Sequence, residues 1–379
     1  MVIYLDHAAT TPMHPSVIDV FTEALREVPG NPSSIHQVGR AARKELDGAR
    51  RALAQSIGAQ PNDIIFTSGG TEANNTALFG AAKALREKGN HIITTKIEHH
   101  AVLNTCKQLE QQGFEVTYLE VNENGQVTAE QVQKALTDET ILVTIMYGNN
   151  EVGTIQPIEE IGALLENHQA IFHTDAVQAY GVVPLNVEQL KVDCLSVSAH
   201  KLNGPKGIGF LYVKTGIQLS PFMIGGEQER KRRAGTENVP AVMAFKKAVE
   251  LAHEQMEETA EEYRQYEAIL MDTFKAASLQ FEVHAKDVAR LPHISNISFA
   301  GTDIESFLVN LDMAGVAVSS GSACTAGSLD PSHVLTAMFG KGARQLRNSV
   351  RFSYGYSLTT ETVKEAAEKT VAIVNRLVK

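Results

Sequence analysis

Cysteine is scarce in this 379-residue chain: only Cys106, Cys194 and Cys324 occur. So sparse and odd a count builds no disulfide framework, and without a C-x-x-C pair nothing points to structural zinc. No run of about 18 apolar residues is present to span a bilayer. The start, Met-Val-Ile-Tyr-Leu-Asp-His, lacks the basic and apolar regions of a secretory signal. These absences predict a reducing, cytoplasmic setting in which free thiols persist. Internal repeats and low-complexity linkers are also missing. Positive charge falls short of negative, 34 residues against 44, for a net charge of −10. That balance favours solubility and argues against a direct overall grip on nucleic acid.

Apolar residues make up 43% of the chain and charged residues 21%, enough to build a sizeable core. The length predicts two domains, or one large α/β domain with an appendage. Between about residues 61 and 213, short β-rich runs alternate with helical patterns. Strands are predicted at Asp63–Thr67, His91–Thr95, Ile141–Met146, Ala170–Asp175, Cys194–Ser198 and Gly209–Val213, with helices such as Thr71–Lys88 and Ile158–Glu166 between them. This alternation predicts a parallel or mixed sheet covered by helices on both faces. Pro240 to Ala277 reads as a long, mostly helical stretch rich in Glu. The remainder mixes short strands with helices and closes on an amphipathic helix marked by Val363, Ala367, Val371, Val374 and Val378. A second, smaller α+β domain is expected.

Polar groups gather just past the predicted strand ends, the edge where open α/β sheets bind ligands. Ser68-Gly69-Gly70-Thr71 offers glycines and a helix N-terminus to an anion such as phosphate; a threonine cap after a glycine turn is the plainer alternative. His99 could stack on a flat ring or shuttle a proton, or lie on the surface. Asn149-Asn150 fits a turn. Asp175 could keep a pyridine nitrogen protonated, or cap the next helix. Lys201 stands in a Gly/Pro-rich turn at a strand end, where a desolvated amine could form a Schiff base. Taken together, these features are those of a pyridoxal phosphate (PLP) site.

The runs Thr174-Asp175-Ala176-Val177-Gln178 and Ser198-Ala199-His200-Lys201-Leu202-Asn203-Gly204-Pro205-Lys206-Gly207 resemble the class V aminotransferase superfamily of fold type I PLP enzymes. Within it the chain resembles the cysteine desulfurases of the NifS/IscS type. The likeness extends through Tyr4–Pro12, Gly30–Ser34, Ser68–Asn75, Glu98-His99, Asn149–Glu151, Arg233–Asn238 and Ser319–Thr325. It implies an α/β, three-layer large domain over residues 14–256, with a smaller α+β domain formed by residues 1–13 and 257–379. Lys201 would carry PLP; Gly70, Thr71, Ser198 and His200 would hold its phosphate, with Thr236 reaching in from the partner subunit of a homodimer. Asp175 would pair with the pyridine nitrogen, Gln178 with the ring hydroxyl, and His99 would stack on the ring. Asn150 and Arg351 would bind the substrate carboxylate, for which a guanidinium is the right planar donor.

Cys324 lies among small polar residues, unlike Cys106 and Cys194, whose contexts are those of packed thiols. The resemblance makes it the sulfur acceptor: L-cysteine becomes L-alanine and Cys324 a persulfide. His99 or the substrate amine could deprotonate its thiol. No resident metal is expected, although Cys324 could transiently ligate an iron–sulfur cluster. The acceptor would be a tRNA thiolase or an iron–sulfur scaffold, and the short tail after the last helix counts against scaffold docking. The basic run Arg230–Arg233 could dock an acidic partner or form a solvated face. Selenocysteine lyase and PLP aminotransferase are the rivals on the same fold. A metal-dependent hydrolase using His99, His100, His173 and Asp175, or a non-enzymatic sulfur carrier, are rivals from other classes.

Overall fold

The computed structural model describes residues 2–320 and 331–378. In chain order its strands are β1 (Ile3–Tyr4), β2 (Ile64–Thr67), β3 (His91–Thr95), β4 (Glu115–Leu119), β5 (Thr140–Thr144), β6 (Ile171–Asp175), β7 (Cys194–Ser198), β8 (Gly209–Val213), β9 (Phe281–Val283), β10 (Ile294–Phe299), β11 (Val316–Ala317) and β12 (Ser349–Ser353). Seven of them form the main sheet in the order β2-β8-β7-β6-β5-β3-β4. All neighbours run parallel except β8, which is antiparallel to both β2 and β7.

Strands β2, β3 and β5 to β8 are buried along their whole length, as expected where helices cover both faces. On one face Ile92, Leu142, Ile171, Cys194 and Leu211 pack against Ala73, Ala77, Leu78 and Ala81 of helix Gly70–Ala84 and Val102 of helix His100–Gln111. On the other, Ile93, Val143, Phe172, Leu195 and Phe210 meet helices Gln37–Gln55 and Val239–Glu254. A separate apolar cluster joins Ile3 and Leu5 to helices Met256–Ala276 and Thr360–Leu377 and to the antiparallel sheet β12-β10-β9.

One strand of the main sheet lies outside the sequence expectation, and the long helical stretch divides in two. β4 was not anticipated: it is an edge strand, largely exposed at Glu115 and half-buried through Tyr118, so its apolar signal is weak. The stretch from Pro240 to Ala277 is two helices, separated at Gln255 (φ −108°, ψ 5°), whose backbone leaves the helical region. No helix among the described residues is long and apolar enough to cross a membrane.

Candidate active site

The sheet register sets the site. Thr67 of β2 and Ser198 of β7 both pair with Gly209 of β8, so the ends of three strands meet in one row. Gly209 has to be glycine: a Cβ there would lie 2.3 Å from the Val197 carbonyl oxygen and 2.9 Å from Gly69 Cα. Past these ends, and past those of β5 and β6, opens a cavity of about 310 Å³. It is lined by Ala8, Ala9, Gly70, Thr71, Asn74, His99, Met146, Gly148, Asn150, Asp175, Val177, Gln178, Ser198, His200, Lys201 and Arg351. Ten sequence-designated residues therefore converge from six separate stretches of chain. Thr236 is exposed and lies outside the lining of this cavity. Cys324 lies outside the described residues.

Lys201 Nζ donates to the carbonyl oxygens of Ala8 and Ala9 at 2.5 and 2.8 Å, which brings the N-terminal segment over the cavity. Asp175 ends β6, with Oδ2 accepting from Asn74 Nδ2 at 2.6 Å and Oδ1 from the Val177 amide at 2.9 Å. The carboxylate is thus fixed in direction. Gln178 donates to Ala8 O at 2.9 Å and meets His293 Nε2 at 3.2 Å. His200 Nδ1 lies 3.2 Å from Thr10 Oγ1, and burial and then Lys201 push its imidazole down to about 4.

His99 caps helix His100–Gln111, its Nδ1 accepting the Ala101 amide proton at 3.1 Å. Burial lowers its pKa, with Asp175 opposing and Lys201 reinforcing the shift. A neutral ring whose Nδ1 accepts must carry its proton on Nε2. Arg351 projects from β12, donating to Asn150 O and Asp6 Oδ1, each at 2.7 Å. Its buried Nε has no partner, which leaves one arm of the fork for an incoming carboxylate.

Behind these groups lie two buried acids. Glu98 accepts from Thr95 Oγ1 and the Met146 amide, and burial pushes it up to about 8. Glu151 accepts from Ser332 Oγ at 2.5 Å, and burial pushes it up to about 7. Ser332 and His333, the latter 2.9 Å from Glu98 O, follow the segment that contains Cys324. Ser319, which precedes that segment, pairs its backbone with Arg351. One described flank is therefore tied to the lining residue Arg351, and the other to the two buried acids behind the cavity. The other cysteines, Cys106 and Cys194, are buried and unbridged, and burial pushes both thiols up.

The residues fit PLP on structural grounds. A Cβ at Gly70 would stand 2.6 Å from Val177 Cγ2, so the turn is open to an anion only as glycine. Asn74 Oδ1 is buried without a partner beside Asp175. An amine, a fixed carboxylate and a glycine-lined helix start face one volume. A metal site is less well served: both ring nitrogens of His173 are taken, by Thr144 Oγ1 at 2.8 Å and Ser196 Oγ at 2.9 Å. Sequence reasoning gave no role to Ala8, Ala9, Met146 or Gly148. Asn74 was foreseeable, because it lies one helical turn after Gly70 and shares its face.

A mostly parallel sheet with a lysine amine, an aspartate and an anion turn at its strand ends defines a class of α/β enzymes built around that amine. Residues 3–365 match the class-V aminotransferase family model. The chain is 58% identical over 375 residues to a putative cysteine desulfurase, IscS 1, of Bacillus subtilis (strain 168), covering 99% of both. It is 45% identical to the cysteine desulfurase IscS of Dictyoglomus turgidum, covering 99% of this chain and 95% of that one. A solved NifS-like protein superposes with a TM-score of 0.92 at 35% identity, all of both chains being covered. The structure of SspA in complex with cysteine gives 0.82 at 36%, covering 92% and 98%. The chain belongs to the class-V aminotransferase family, in its cysteine desulfurase branch, and that family is PLP-dependent.

Proposed function

We propose that this chain is a cytoplasmic, homodimeric PLP enzyme that converts L-cysteine to L-alanine and retains the sulfur as a persulfide on Cys324. The observation that carries this reading is the convergence of Lys201, Asp175, the Gly70 turn and Arg351 on one cavity. PLP, when bound, withdraws electrons from the substrate carbon skeleton. Lys201 would hold the cofactor, and its Nζ is the group that would move the substrate Cα proton. The carbonyls of Ala8 and Ala9 orient that amine. Asp175, held by Asn74 and the Val177 amide, keeps the pyridine nitrogen protonated. Gly70, Thr71, Ser198 and His200 take the phosphate, and Gln178 the ring hydroxyl.

His99, its pKa lowered by burial, would cover the ring and offer Nε2–H as a hydrogen-bond donor; with Nδ1 taken by the Ala101 amide, it is poorly placed to remove the Cys324 proton. Asn150 and Arg351 take the substrate carboxylate, the vacant Nε of Arg351 supporting that assignment. In the net reaction the substrate C–S bond breaks, an S–S bond to Cys324 forms, and the carbon gains hydrogen. Atoms and electrons balance without an external oxidant. The persulfide then passes to an acceptor protein, in tRNA thiolation or iron–sulfur assembly. The residues also fall into a PLP-binding unit, 14–256, and a unit of 1–13 and 257–379 that carries Cys324; the separate cluster around Leu5 and Phe352 supports this division.

Incubation with L-cysteine should release L-alanine, and Lys201→Ala should slow this by about 10²- to 10⁴-fold, the span of a lost general acid–base group. Borohydride reduction of the holoenzyme should place the pyridoxyl group on Lys201. Labelling at another lysine, or an unchanged rate in Lys201→Ala, would overturn the assignment.

A further inference from the structure

Glu72 occupies an awkward place in the site just described. It stands in the first turn of helix Gly70–Ala84, one residue after Thr71. A carboxylate there is favourable to the helix dipole, yet it competes for the same positive field as any phosphate held by that turn. The structure gives this carboxylate two partners. Its Oε2 accepts the Ser68 amide proton at 2.8 Å, and Arg233 meets it fork to fork, Nε to Oε1 at 2.7 Å and Nη2 to Oε2 at 3.1 Å. The two side chains are only 9% and 18% exposed. Burial pushes Glu72 up, but the bonds from Arg233 and Ser68 outweigh it, so the group lies below the ordinary carboxylate value and is ionised.

Arg233 arrives already positioned. Its segment is fastened to β2, because Glu229 takes Arg50 bidentately at 2.7 and 2.5 Å and accepts the Phe66 amide at 3.1 Å. Arg232 donates to the Ile64 carbonyl at 3.3 Å, and Gln228 Oε1 accepts the Gly235 amide. Glu229, Arg230 and Lys231 all hold positive φ (47°, 57° and 66°), a strained run that persists only where surrounding contacts over-determine it.

We infer that Arg233 is a positioning residue for the cofactor phosphate: it neutralises Glu72 and holds that carboxylate against the Ser68 amide, so the Gly70–Thr71 turn can accept a dianion. This rests on the PLP reading above. Arg233 need not touch the phosphate itself. Its effect is carried by the charge it cancels, so removing the charge on Glu72 should compensate for its loss.

The test compares PLP with pyridoxal, which has the same ring and aldehyde but no phosphate, on wild-type, Arg233→Ala, Glu72→Gln and Arg233→Ala/Glu72→Gln proteins. Binding is followed by absorbance of the Lys201 adduct, and folding of each apo variant by thermal melting. Wild type should prefer PLP strongly. Arg233→Ala should weaken PLP on the order of tenfold, the effect of one uncompensated like charge at a half-buried site, and leave pyridoxal unchanged. The double variant should regain most of that loss. A parallel fall for pyridoxal, or a double variant as poor as the single one, would overturn the inference while leaving the PLP assignment intact. A wild type without preference for PLP would instead overturn the phosphate reading itself.

Discussion

Glu98 sits beside His99 with both carboxylate oxygens buried, one of them without a partner, and at pH 7 it carries a proton. Its folded pKa of about 8 exceeds the ordinary value of 4.5. Below about pH 4.5 folded and unfolded chains both hold the proton, and Glu98 adds no pH dependence. Between 4.5 and about 8 only the folded chain holds it, so stability falls as pH rises through that window and levels off above it. Glu98→Gln keeps an acceptor for Thr95 and Met146 and removes this titration. Its melting temperature should therefore decline less between pH 5 and pH 8.5 than that of wild type; parallel declines would contradict the assignment of the proton. At this scale the sequence was informative where chemistry is unusual for its setting. A lysine and an aspartate at strand ends announce themselves. Nothing in the residue pattern marks the Ala8 and Ala9 carbonyls, which act through backbone atoms that every residue possesses.

At the scale of elements, the site depends on β2 and β7 ending on either side of β8, both in register with Gly209. The Arg50–Glu229 pair secures β2 from the other side, since Arg50 and Arg232 both donate to Ile64 O and Glu229 accepts from Phe66 N. Arg50→Ala would leave Glu229 buried without its counter-ion, an arrangement that costs about 3–5 kcal/mol. Urea unfolding should show a loss of that order, whereas Arg43→Ala, at an exposed pair, should cost under about 1 kcal/mol. Equal losses would contradict the weight given to burial. Strands buried on both faces were legible as continuous apolar runs, and five of the six predicted ends fall within one residue of those observed. The exception is β5, which stops at Thr144, two residues before Met146 reaches the cavity lining. The break at Gln255 was invisible: Gln-Met-Glu-Glu carries no proline or glycine, and tertiary packing decides the bend.

For the whole molecule, the exposed Thr236 is the open feature of an otherwise convergent site. If it completes the cavity of a second copy, two separately inactive chains should restore each other. Thr236→Asp would set a negative charge against the partner's phosphate, and Lys201→Ala removes the amine. In a mixed dimer, the Thr236→Asp subunit keeps its own Lys201 and receives an unaltered Thr236, so one of the two sites is whole. Mixing, denaturing and refolding the two variants should recover about half the activity of wild type per mixed dimer; no recovery, with mixed dimers demonstrated by native mass spectrometry, would refute the shared site. Partner residues of this kind are not readable from periodicity or spacing within one chain.

The persulfide is the central claim, and it is measured directly. Wild-type protein incubated with one equivalent of L-cysteine, digested without reductant and mapped by mass spectrometry, should gain one sulfur atom on the peptide containing Cys324, with one L-alanine released per site. Cys106 and Cys194 should stay unmodified, since burial holds both as thiols. Cys324→Ser should retain the Lys201 adduct absorbance and form no persulfide. Sulfur found on Cys106 or Cys194, or L-alanine released by Cys324→Ser at the wild-type rate, would contradict the account.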